Sequence, residues 1–130
     1  MKYLLAVAFC LLFQAATFAQ DQPEWKEMQA FHKVMAQTFH PAEEGNMQPI
    51  KTRVDELVKA AVAWQRAPLP QGYNEAVSES LDALVTTAKK LRKTVRTEAS
   101  DEEIFADLDD LHERFHEVQE KCHDGEEHTH

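Results

Sequence analysis

The sequence predicts an all-α chain, an up-down-up-down four-helix bundle after a cleaved signal peptide. Three observations predict it. Past residue 20, four segments repeat apolar side chains at steps of three and four, and no period-two stretch of comparable length occurs. Only three Gly and five Pro occur in 130 residues, and the prolines fall at the ends of those segments or between them. The chain is 43% hydrophobic and 28% charged, a globular composition at a length that supports one cored domain rather than two.

Residues 1–19 carry the marks of a secretory signal peptide: Lys2 near the start, an apolar run from Tyr3 to Phe13, and small residues ending at Ala19. Gln14 and Gln20 interrupt that run short of the roughly 20 apolar residues a spanning helix needs. The expected location is periplasmic or otherwise exported, with no membrane attachment after cleavage. A formal net charge of -9 leaves no basic field to neutralise phosphates, which excludes nucleic acid as a partner class.

The bundle is expected over residues 20–123. Its first helix runs from Pro23, at a first-turn position, to about His40, where Pro41 and Gly45 are expected to end it. The second follows Asn46 with Pro49 in its first turn, and Ile50, Val54, Leu57, Ala61 and Trp64 form one stripe. Ala67 to Gly72, with two prolines and a glycine, is the middle loop. The third helix is capped by Asn74 and carries Val77, Leu81, Leu84, Ala88, Leu91 and Val95 on one face. The fourth opens at Ser100 with Glu103 three residues on, a capping box, and its stripe is Ile104, Leu108, Leu111, Phe115, Val118 and Cys122. Residues 124–130 contain no apolar side chain, so a disordered, acidic and His-bearing tail is expected there.

All seven histidines lie on the first helix (His32, His40), on the fourth (His112, His116, His123) or in the tail (His128, His130). A step of about 100° per residue places His112 and His116 one turn apart on the same side of the fourth helix, flanking its apolar stripe. Such an i, i+4 pair can chelate one ion. On the first helix Met28, His32 and Met35 share a core-facing side, and antiparallel packing brings Met28 and His32 to the height of His112 and His116. Imidazole, thioether and thiol donors favour copper or zinc over calcium or magnesium, which take oxygen shells. The expected metal ligands are His32, Met35, His112, His116 and Cys122, with Met28 as the alternative thioether. His40, Glu43 and Glu44 form a weaker second cluster. Methionine in a helical core and histidine beside a core stripe also serve ordinary packing, and each of these residues carries that alternative.

Cys10 departs with the leader, which leaves Cys122 as the one thiol of the exported chain, so no internal disulfide can form. It is a metal ligand, a buried small hydrophobe, or the bridge of a homodimer.

Arg114-Phe115-His116-Glu117-Val118 resembles the late fourth-helix segment of soluble b-type cytochromes, where a His after an aromatic residue ligates haem iron. Gln119-Glu120-Lys121-Cys122-His123 is similar to the C-x-x-C-H attachment motif of the cytochrome c-prime members of that four-helix-bundle superfamily, with Gln119 where the first Cys belongs. The resemblance implies a divergent member without the two-thioether attachment, an electron carrier holding haem b between Met28 and His116 as axial ligands.

Three function classes therefore stand: an exported copper- or zinc-binding module, a b-type haem electron carrier, and a structural or partner-binding bundle. An enzyme is not expected, because no paired carboxylates, nucleophile–base pair or glycine-rich phosphate loop appears. Asp109 and His112 have the i, i+3 spacing of a di-iron carboxylate site, but Gln29 precedes His32 where the matching acid is required.

Overall fold

Four amphipathic segments of this kind can bury their stripes only against one another, and they do so here as a four-helix bundle with no strand among the described residues. The computed structural model describes residues 25–127, and side-chain surroundings through Cys122. The helices are α1 (Lys26–Glu43), α2 (Gln48–Arg66), α3 (Glu75–Arg96) and α4 (Asp101–Glu127). Consecutive helices pack along one another through short connections, and α4 returns against α1, the least intimate of the neighbouring pairs. None of these helices is long and apolar enough to cross a membrane. Residues 1–19, where a signal peptide is expected, and the tail residues His128 and His130 lie outside the described residues.

Every residue of the stripes expected on α2, α3 and α4 is buried except Val95, which packs half-buried against the same core. On α1 the expected core-facing side holds only at Met35. Met28 is half-buried and His32 exposed, because the face turned inward is that of Phe31, Val34, Met35, Thr38, Phe39 and Ala42. Trp64, fully buried, is the hub of an aromatic cluster. Its ring centre lies 5.6 Å from Trp25, 5.6 Å from Phe31 and 5.9 Å from Phe115, and Phe31 and Phe115 are 5.6 Å apart. Rings at these separations take the edge-on or tilted contacts that their quadrupoles favour.

The caps agree with the sequence at two of the starts. Asn74 Oδ1 accepts from the Ala76 amide at 2.9 Å, and Ser100 Oγ accepts from the Glu103 amide at 3.1 Å. Between α1 and α2, Asn46 Oδ1 accepts from the Gln48 amide at 3.1 Å, and proline stands in the first turn of α2.

Three boundaries differ from expectation: α1 begins at Lys26, after Trp25 in an extended conformation, rather than at Pro23, and two helix ends are displaced as well. Pro41 does not end α1. It lies inside the helix, which continues to Glu43 because Phe39 and Ala42 are both buried and hold the extra turn. The end is set instead by Gly45 at φ +92°, with the Gly45 amide donating to Ala42 O and the Asn46 amide to Pro41 O, a Schellman motif. Residues 39–46 thus form the closing turn and cap of α1. At the other terminus, α4 is helical through Glu127, beyond the expected boundary at residue 123. Propagation adds one hydrogen bond per residue to a helix already nucleated on the core, so packing need not accompany the last turn.

Candidate functional site

The histidines expected to act together lie along the seam between α1 and α4. Two facts of local structure place them there. His112 and His116 sit one helical turn apart beside the buried positions Leu111 and Phe115, so their rings emerge at the edge of the α4 stripe. His32 and His40 follow Phe31 and Phe39, the buried aromatics of α1, in the same way.

The His112 and His116 ring centres are 4.5 Å apart at an interplanar angle of 78°. An ion bound tetrahedrally at about 2 Å from one nitrogen of each ring would hold the ring centres about 5 Å apart, so this pair needs little movement to chelate. His116 is exposed and His112 half-buried. Phe39 lies flat against His112, with centres 4.1 Å apart and planes inclined by 15°, and Phe105 stacks on Phe39 at 5.9 Å. Burial against these rings, with the neighbouring His116 charge second, lowers the His112 pKa below its ordinary value, and Asp109, Glu43 and Glu113 oppose the shift without reversing it. The His112 imidazole is accordingly biased toward its neutral form, the form that binds a metal.

His32 is exposed, and its ring lies 5.1 Å from that of Phe115, so it stands at the height expected, flanking the pair's helix. His40 is exposed, its Nδ1 lies 3.4 Å from Glu43 Oε1, and its ring centre is 6.2 Å from that of Phe39. Met35 is in the core at 1% exposure, and Met28 is half-buried against the core. Cys122 is buried on the α4 stripe. The structure thus brings His112 and His116 together. Among the described residues no three His, Cys, Asp or Glu side chains are grouped to hold one ion. Two shallow clefts beside Ile104 and Phe105, and a third between α2 and α3, contain no histidine in their walls.

Two participants escaped the sequence. The stacking of Phe39 on His112 depends on the α1–α4 register, which no local spacing encodes. Glu43 enters only as a partner of His40, yet its charge also acts on His112.

No family model matches the chain, and neither a curated protein nor a solved structure matches it.

Proposed function

We propose that this protein is an exported transition-metal-binding bundle that takes copper or zinc at an α4 anchor formed by His112 and His116. The observation that carries this is the 4.5 Å separation of the two imidazoles on one accessible helical turn. The lowered pKa of His112 supports it, since proton competition at that ligand weakens. Imidazole donors suit both ions, with copper the tighter by the usual order of divalent affinities. Export rests on the signal-peptide pattern of residues 1–19.

The packing favours a bare ion over haem b. The Phe31, Phe115 and Trp64 rings beside His116, the aromatic side chains a haem slot would draw on, pack against one another as core.

Zinc or copper titration followed by calorimetry and by thermal melting tests the proposal. An ion that binds only the folded chain, present at 100 times its dissociation constant, stabilises it by about 2.7 kcal/mol. The wild-type chain should show that rise, and His112→Ala and His116→Ala should each lose it. A rise that persists in the double variant would place the ion elsewhere and sink the proposal.

A further inference from the structure

The anchor pair provides two donors, whereas zinc in a stable site takes four, almost always in a tetrahedron. The described chain holds no third donor grouped with the pair. Each neighbour is engaged or turned away: His40 lies beside Glu43, His32 lies against Phe115, and Met35 and Cys122 are buried in the core. His116 meanwhile is exposed at the edge of the α1–α4 seam, where a second surface can reach it.

We propose that one zinc ion joins two copies of this chain across a two-fold axis, with His112 and His116 of each copy supplying the four imidazoles. This rests on the metal-binding function proposed above and deepens it by naming what completes the ligand set. The occupant is a second copy because an isologous contact presents the same patch twice, so two i, i+4 pairs meeting at the axis give four donors with no other residue required. The charge around the pair makes the contact conditional. Asp109 and Glu113 on α4 and Glu43 on α1 put negative charge beside His112, Asp110 and Glu117 being paired with Arg114, and each chain carries a net charge of -9. Two such faces repel one another in the absence of a cation, and a divalent ion at the axis both bridges them and offsets that repulsion. The chain is therefore a monomer without zinc and a dimer with it.

Sedimentation equilibrium of the full exported chain, in a non-chelating reductant that prevents any Cys122 disulfide, tests this when zinc is added stepwise. The expected result is a doubling of mass that is complete at one ion per two chains and reverses on chelation. His116→Gln, at an exposed position and with its helical content checked by circular dichroism, should stay monomeric. The triple variant His123→Ala, His128→Ala, His130→Ala should still dimerise. A chain that binds one zinc per monomer without change of mass overturns the bridged dimer and leaves metal binding standing, the remaining ligands then coming from the same chain or from water. Doubling that survives His116→Gln, or that disappears in the triple variant, overturns it by placing the bridge elsewhere. Absence of zinc binding at the pair overturns both.

Discussion

At His112 burial and the neighbouring His116 lower the pKa, while Asp109, Glu43 and Glu113 pull it the other way, and burial prevails. The consequence for stability has a definite sign. The unfolded chain takes up this proton near the ordinary value of 6.5, and the folded chain only at lower pH. Within that window the unfolded state binds more protons, so the His112 contribution is intact above 6.5 and is lost as pH falls through the lowered folded value. In metal-free protein, the denaturant midpoint should fall as pH drops through this window, and His112→Gln should flatten that part of the profile. An unchanged slope in the variant would remove His112 as the source.

At the scale of the element, α1 and α3 end alike, and the residue at the left-handed position differs. Gly45 stands at φ +92° after α1, whereas Glu98 stands at φ +59° after α3, where the Ala99 amide donates to Thr94 O and the Glu98 amide to Val95 O. A side chain in this region costs about 1 kcal/mol through contact between Cβ and the carbonyl that follows. Nothing lies within 4 Å of a Cβ built at Gly45, so Gly45→Ala should destabilise by that backbone cost of about 1 kcal/mol and no more. Glu98→Gly should gain up to a similar amount. Chemical denaturation of both variants measures the pair, and equal effects of the same sign would show that the two ends are not equivalent.

For the molecule as a whole, stability is concentrated in the ring cluster rather than in the ion pairs that tie the helices together. Lys51 Nζ lies 2.7 Å from Asp101 Oδ1 and Arg96 Nη2 lies 2.8 Å from Asp55 Oδ1, linking α2 to α4 and α3 to α2, but these groups are well exposed. Exposed pairs contribute under about 1 kcal/mol, because water screens them and two long side chains must be ordered. Trp64, by contrast, is fully buried in contact with Trp25, Phe31 and Phe115. Trp64→Ala should cost about 4 kcal/mol, with loss from the cavity added to loss of transfer energy. Lys51→Ala should cost under about 1 kcal/mol. Guanidinium denaturation distinguishes them, and comparable losses would contradict this division. The proposed metal anchor lies at the α1–α4 seam, the least intimate of the neighbouring helix pairs, so ligand exchange there need not disturb the core.

The four helices, the buried faces of α2, α3 and α4, and two of the caps were legible in the sequence, because apolar period, cap chemistry and proline placement act within a few residues of one another, whereas on α1 the core-facing side was misjudged at His32. Ile50 through Trp64 and Ile104 through Cys122 are legible for that reason, as is the His112–His116 pair, whose meeting follows from helical pitch alone. The length of α1 past Pro41 was not legible, since burial of Phe39 and Ala42 by other helices outweighed a local signal to stop. The environment of the site was equally out of reach. Whether Phe39 would stack on His112, whether Glu43 would act on it, and whether His32 and Met35 would reach the pair or lie against Phe115 and in the core all depend on how α4 is set against α1. That register is decided by interdigitation of the two whole faces, a long-range property of packing, and only the tertiary structure holds it.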